Sequence, residues 1–303
     1  MKILVTGITG YIGSGLVPRL VAGEHSVVGF SRRGLAQGSV PVVKGDAITG
    51  AGLDEALDGV DVAYYLMHSL EASSDGSFSA RELRAAENFA RAARAAGTPR
   101  VIYLGGPMPQ AGPTSPHLAS RLAVERIILQ SAPCAIALRA SIVIGSGSRS
   151  FRLLVRLVER MPVIPLPAWH RHRTSPLDER DIIEVLARAT TSDELCGGAT
   201  DVAGPEDLTY QELIQRIRDL LLLRRPTIGF KRLNVTPLVS RVAAVIAEED
   251  HELIGPLMES LQNDLLPSRP GAAELLGVRL HSLDSAIERA LREWEAVEPL
   301  AAR

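Results

Sequence analysis

Short apolar runs alternate with longer stretches in which apolar residues recur every three or four positions, and this rhythm continues from the first residues to about residue 145. Lys2 to Thr6 is an aliphatic and β-branched run that predicts a buried strand, and beyond it Ile12, Leu16, Leu20 and Val21 recur at helical spacing. Further strands are predicted over Ser26 to Phe30, Pro41 to Lys44, Val60 to Met67, Arg100 to Leu104 and Ala135 to Ser141. Helices are predicted near Leu53 to Leu57, from about Ser79 to Ala96 and from about His117 to Gln130. Strand and helix in alternation predict an α/β fold with a doubly wound parallel sheet. After residue 145 the alternation loosens. Helices are expected over Ser150 to Arg160, Asp178 to Thr190, from a Thr209 cap through Leu223, and over Asp284 to Trp294, with a short strand at Gly198 to Val202. Met161 to Pro176 is Pro-rich, a short extended piece is expected after Pro226, and apolar turns are expected around Leu238 to Ala247. This layout predicts two parts. Residues 1–145 plus about 176–205 form the sheet, and 146–175 plus 206–303 form a smaller part beside the carboxyl ends of its strands.

The stretch Thr6-Gly7-Ile8-Thr9-Gly10-Tyr11-Ile12-Gly13 joins the first strand to the first helix. Gly7 permits a tight turn, Gly10 lets the backbone approach a phosphate without a Cβ, and Gly13 allows close packing of helix on strand. The helix N-terminus then faces the anion, and Thr9, Tyr11 and Ile12 join the glycines as candidate cofactor contacts. The TGxxGxxG spacing resembles the short-chain dehydrogenase/reductase superfamily, in particular its extended and atypical members. Together with AYYLMHS, VIYLGG, HLASR and LRASIVIGSGSRSF, it is similar to atypical bacterial proteins described as NAD(P)H-binding, NmrA-like or nucleoside-diphosphate-sugar epimerase-like. The resemblance covers nearly the whole chain and implies a Rossmann fold.

Cofactor choice is read at the end of the second strand. An acidic residue there favours NAD(H) by accepting the ribose 2′-hydroxyl bonds, but this chain has Ser31 followed by Arg32. A guanidinium pairs with a 2′-phosphate that a carboxylate would repel, so NADP(H) is expected over NAD(H), with NAD(H) still open. Gly45-Asp46-Ala47 looks like the pair that meets the adenine in extended members, which implies Asp46 and Ala47 as contacts; a turn or cap aspartate is the other reading. Leu66 and Met67 end the fourth strand, His68 follows it, and all three are expected to line the cleft beyond the strand ends.

Catalysis in that superfamily usually rests on a serine after the fifth strand and a Tyr-x-x-x-Lys helix. This chain departs from both, with Gly105 and Gly106 where the serine would stand and with His117 and Arg121 at the spacing of the tyrosine and lysine. That spacing puts both on one helix face. His117 is the candidate general acid, because an imidazole titrates near working pH. Arg121 is the candidate for the nicotinamide ribose, since a guanidinium cannot relay a proton. His68 is a further catalytic candidate, and Tyr65 stands in reserve as an acid.

Composition narrows the partners. Aromatics make up only 4% of the chain, so the interior is expected to be aliphatic, and a net charge of −2 gives no reason to expect nucleic acid or an anionic membrane as a partner. Arginine outnumbers lysine 30 to 3, and the scattered guanidiniums define no single ligand. No signal-peptide pattern precedes the first strand and no apolar run reaches the ~20 residues of a membrane helix, which predicts a cytoplasmic protein. Cys134 and Cys196 lack metal-ligand spacing and are expected as two small buried, reduced thiols. His170-Arg171-His172-Arg173 lacks a third ligand for a metal, so no metal is expected and the run reads as a solvated basic loop or an anion contact. No serine sits in a Gly-x-Ser-x-Gly elbow. The chain thus reads as an NADP(H)-binding reductase of a small, apolar carbonyl or enone. The alternatives are a cofactor-binding regulator or scaffold without turnover and, more weakly, an isomerase or dehydratase; oligomeric state stays open.

Overall fold

In a computed structural model of the protein, residues 1–34, 38–67, 78–109, 112, 115–166, 168–229, 263–298 and 300 are described. The first half runs β1 (Lys2–Thr6), α1 (Tyr11–Ala22), β2 (Ser26–Ser31), β3 (Val42–Lys44), α2 (Leu53–Leu57), β4 (Val62–Tyr65), α3 (Phe78–Ala95), β5 (Arg100–Gly105), α4 (Pro116–Ile128) and β6 (Cys134–Ala140). Next come β7 (Val143–Ile144), α5 (Arg149–Arg160), β8 (Ile164–Leu166), β9 (Arg173–Thr174), β10 (Leu177–Asp178), α6 (Glu179–Ala189) and β11 (Gly198–Val202). β12 (Leu208–Thr209), α7 (Tyr210–Leu220), β13 (Thr227–Gly229), α8 (Ala272–Leu275) and α9 (Leu283–Glu295) complete the described elements.

Seven strands form one parallel sheet in the order β11-β6-β5-β4-β1-β2-β3. The order reverses between β1 and β4, which opens a crevice beyond their carboxyl ends. Every residue of β4 is buried, as a strand covered by helices on both faces must be. Val62, Tyr64 and Leu66 pack with Leu16 and Leu20 of α1 and Ile182 and Val185 of α6. Ala63 and Tyr65 pack on the other face with α2, α3 and α4. The doubly wound α/β sheet expected from the alternation is present.

A second core lies outside the sheet, where Phe151, Leu154 and Val158 of α5, Leu213 and Ile217 of α7, and Ile287, Leu291 and Trp294 of α9 pack together. Arg152 and Arg156 lie over the Trp294 ring, 4.4 and 4.8 Å from its centroid. Thr209 closes a capping box with Glu212, each satisfying a backbone N–H at the start of α7. Ala272, Ala273 and Val278, expected with the smaller part, contribute instead to the first core. Residues 238–247 lie outside the described residues.

One expectation is overturned. Cys134 and Cys196 are joined in a disulfide, and Cys196 is exposed rather than buried. Parallel pairing explains it: Gly198 sits opposite Ile136, so the residues two positions earlier on each chain also meet, although 62 positions separate them in sequence.

Candidate functional site

The glycine turn is built by close backbone packing. Gly7 has φ of +68°, and a Cβ there would meet the Leu66 carbonyl oxygen at 2.8 Å. At Gly10 and Gly13 a Cβ would come within 3.0 and 2.3 Å of the Gly7 carbonyl oxygen. The Gly10 N–H donates to that oxygen at 2.8 Å, which closes the turn. Thr6 Oγ1 donates to the Tyr64 carbonyl at 2.9 Å and accepts the Leu66 N–H at 3.2 Å, locking the end of β1 to the end of β4. Gly10 caps α1 without a side-chain bond. The N–H groups of Tyr11, Ile12 and Gly13 therefore have no acceptor within the helix and supply the positive end of its dipole.

Around this turn the candidate residues take distinct positions. Thr9 and Gly10 are exposed, whereas Leu66 meets the turn through its backbone and buries its side chain in the core. Ile12 packs against that core, and Met67 packs on the opposite face of the sheet. The Tyr11 ring lies against Gly145 and Gly147. At the end of β2 the Ser31 hydroxyl accepts the Gly34 N–H at 3.1 Å, and Arg32 is exposed. Asp46 Oδ1 accepts the Ile48 N–H at 2.8 Å, so one carboxylate oxygen holds a turn, and Ala47 is buried. Asn88 of α3 pins this loop by donating to the carbonyls of Ala47 and Ile48 at 3.0 and 2.9 Å. Sequence reasoning missed Asn88; its one signal was an amide within the alanine-rich apolar face of α3.

At the other end of the crevice, Ser115 caps α4 by accepting the Leu118 N–H at 3.2 Å. His117 lies in the first turn of that helix with its side chain outside the described part, and His68 lies outside the described residues. Arg121 lies one turn on, in a buried polar cluster that was not foreseen. Glu82 of α3 is 5% exposed and accepts a hydrogen bond from Ser120 at 3.1 Å. Burial pushes its carboxyl above the usual range, against the opposing pull of the Arg121 charge and the Ser120 bond. Tyr65 and Tyr103 are also buried here, and burial raises both phenols above the ordinary value, so Tyr65 is a core side chain rather than a reserve acid. The Tyr103 ring leans beneath Gly105, where a Cβ would meet it at 2.8 Å.

Beyond β5, β6 and β11 lies a small hollow lined by Pro107, Arg139, Ser141, Asp201, Leu265 and Pro267. Its charges are paired from behind. Arg139 binds Glu125, and Asp201 Oδ2 accepts the Ser268 N–H at 2.7 Å. In the basic run Arg171 and Arg173 are exposed, as expected of a solvated loop, but His170 is buried, and Asp264 accepts the Arg173 N–H at 2.9 Å with His172 Nδ1 3.2 Å away. Among the described residues one group of three possible metal ligands comes together, Cys134, Asp193 and Cys196, and both sulfurs are committed to the disulfide. No helix among the described residues is long and apolar enough to cross a membrane.

A doubly wound sheet with a glycine turn at its switch point defines a Rossmann protein. The chain belongs to the NmrA-like family, whose model matches residues 1–216. It is 29% identical over 173 residues to a ceramide reductase of Caulobacter vibrioides, covering 54% of this chain and 53% of that protein, and so spans about half of that relative's length. It is 25% identical over 250 residues to the 2-alkyl-3-oxoalkanoate reductase of Stenotrophomonas maltophilia, covering 72% of this chain and 74% of that one. Its fold is similar to that of MoeE5, solved with UDP-glucose and NAD, with a TM-score of 0.72 and 21% identity over 98% of this chain and 99% of that one. The UDP-glucuronic acid 4-epimerase of Bacillus cereus, solved with UDP-glucuronic acid and NAD, gives 0.70 and 16% over 98% and 100%.

Proposed function

We propose that this chain binds NADP(H) in preference to NAD(H) and reduces a small, apolar carbonyl or enone substrate. The observation that carries this reading is the glycine turn, whose contacts leave no room for a Cβ at positions 7 and 13 and little at position 10, below three unpaired N–H groups at the switch point of the sheet. A pyrophosphate fits those donors. Arg32 would hold the 2′-phosphate, Asp46 and Ala47 would flank the adenine, and Arg121 would meet the nicotinamide ribose. When bound, the dinucleotide supplies a hydride. His117 would then give a proton to the carbonyl oxygen, replacing the phenol that helix α4 lacks. The paired charges of the hollow beyond β6 support a neutral substrate, because an anion would find Arg139 already held by Glu125. The names of the two reductase relatives point to the same reaction class.

A second reading, a dinucleotide-binding regulator without turnover, is favoured by one observation: the phenols at the ends of β4 and β5 are buried, and α4 carries none in the expected place. Calorimetry with NADPH followed by single-turnover oxidation against a panel of ketones and enones separates the two. A reductase oxidises NADPH, and His117→Ala slows that step by about 10² to 10⁴ while leaving NADPH affinity nearly intact. Arg121→Ala weakens NADPH binding instead. Full activity in His117→Ala removes it from the reaction, and tight binding without turnover across the panel favours the regulator.

A further inference from the structure

Beside the Tyr11 side chain, a charged cluster links the first turn of α1 to α9, more than 270 residues away in sequence. The Tyr11 hydroxyl is buried beside the Glu179 carboxylate, and a Cβ at Gly145 would lie within 1.9 and 2.4 Å of the two groups. Burial and that neighbouring charge both hold the phenol well above its ordinary pKa, so it stays neutral. Glu179, the first residue of α6, is paired with Arg289 of α9 at 3.2 Å. The same guanidinium reaches Asp178 at 3.4 Å and Glu293 at 2.6 Å, while Arg180 binds Asp178 at 2.6 Å. The Asp178 side chain is fully buried, and those of Glu179 and Arg289 are 16% and 21% exposed. Little water screens these charges.

Three carboxylates therefore share two guanidiniums beside the Tyr11 side chain, in the first turn of the helix whose N-terminus presents N–H groups. The balance is delicate. Removing Arg289 leaves an extra uncompensated negative charge beside the first turn of the helix whose N-terminus an anionic pyrophosphate would meet, and removing Glu179 does the opposite.

We propose that Arg289 is a positioning residue for the dinucleotide: by neutralising Glu179 and Asp178 beside Tyr11, it keeps the first turn of α1 receptive to a pyrophosphate. The α9 helix thereby takes part in cofactor binding without touching the cofactor. This rests on the reading that the glycine turn binds a dinucleotide, and the test separates the two.

NADH affinity, measured by calorimetry on the full chain at low and moderate salt, is compared for the parent, Arg289→Met, Glu179→Gln and the double variant. The use of NADH avoids the titration of the 2′-phosphate. Arg289→Met should weaken binding by about tenfold at low salt and less at moderate salt. Glu179→Gln should tighten it, and the double variant should return close to the parent because the charge balance is restored. Arg289→Lys should also bind like the parent. A merely structural role for α9 predicts a different pattern, in which Glu179→Gln and Arg289→Met both weaken binding and the double variant is worse than either. That pattern overturns the proposal, as does an unchanged affinity in both single variants of a parent that binds. If Arg289→Met fails to fold, the tightening expected of Glu179→Gln decides the matter. A parent that binds no dinucleotide overturns both this proposal and the reading beneath it.

Discussion

Arg139 of β6 donates two hydrogen bonds to the Glu125 carboxylate of α4, from Nε at 2.8 Å and from a terminal nitrogen at 2.7 Å. The pair fixes α4, and with it His117 and Arg121, against the strand that borders the hollow. The Glu125 side chain is 6% exposed and that of Arg139 is 25% exposed. Glu125→Ala should therefore leave a half-buried guanidinium without its partner and destabilise the fold by about 2 to 3 kcal/mol, less than for a fully buried pair. Urea unfolding gives the value. A loss below about 0.5 kcal/mol would show that the pair behaves like an ordinary surface ion pair.

The glycine turn yields a prediction with two readouts. Gly13→Ala puts a methyl 2.3 Å from the Gly7 carbonyl oxygen and 3.1 Å from the Ile8 Cα, backbone atoms that have little freedom to move, so the fold should lose stability. Gly10 is exposed and a Cβ there would sit 3.0 Å from the same oxygen, so Gly10→Glu should cost the fold less than Gly13→Ala while placing a carboxylate where the pyrophosphate would bind. Thermal melting and NADPH calorimetry on both variants test the pair. Unchanged NADPH affinity in a folded Gly10→Glu variant would move the dinucleotide away from this turn.

Cofactor preference should depend on Arg32. A charge-assisted bond to the 2′-phosphate contributes about 1.5 to 3 kcal/mol, or roughly ten- to a hundredfold in affinity. Arg32→Ala should erase most of the difference between NADPH and NADH by weakening NADPH alone. Equal affinities for the two cofactors in the parent would remove this role.

Reduction of the Cys134–Cys196 bond should lower stability. Releasing a closed loop of this length restores chain entropy to the unfolded state, an effect of about 4 kcal/mol in the simplest model. The melting temperature of the parent should therefore fall in the presence of a phosphine reductant, and that of Cys196→Ser should not respond. Alkylation of both sulfurs in native, unreduced protein would show that the bond is not formed in solution.

The sequence carries the local features of this molecule more faithfully than the distant ones. The alternation to residue 145 predicts six of the seven strands of the sheet within a few residues, since hydrophobic period and glycine spacing are written in neighbouring positions. The Thr209 and Glu212 capping box is legible for the same reason. Long-range encounters are not. Nothing local distinguishes Cys134 from any half-buried cysteine, and its pairing follows from the register of β11 on β6. Tyr11 sits in the middle of the most informative motif, yet the direction of its ring is set by two glycines more than 130 residues later. Glu82 and Asn88 read as the polar residues of an amphipathic helix, and only the placement of α3 over the strand ends makes them partners of Ser120 and the Asp46 loop.

The sheet order also bears on how the chain is made. β6 is complete at Ala140, but its outer neighbour β11 begins only at Gly198, after α5, α6 and four short strands, β7 to β10, have been supplied. As synthesis proceeds from the N-terminus, β6 stands for that interval as an open edge with an apolar row from Ala135 to Leu138, a template for pairing with another chain. An N-terminal fragment ending near residue 145 keeps the glycine turn and the whole switch point but carries that edge permanently, so its natural fate is self-association rather than a smaller working domain.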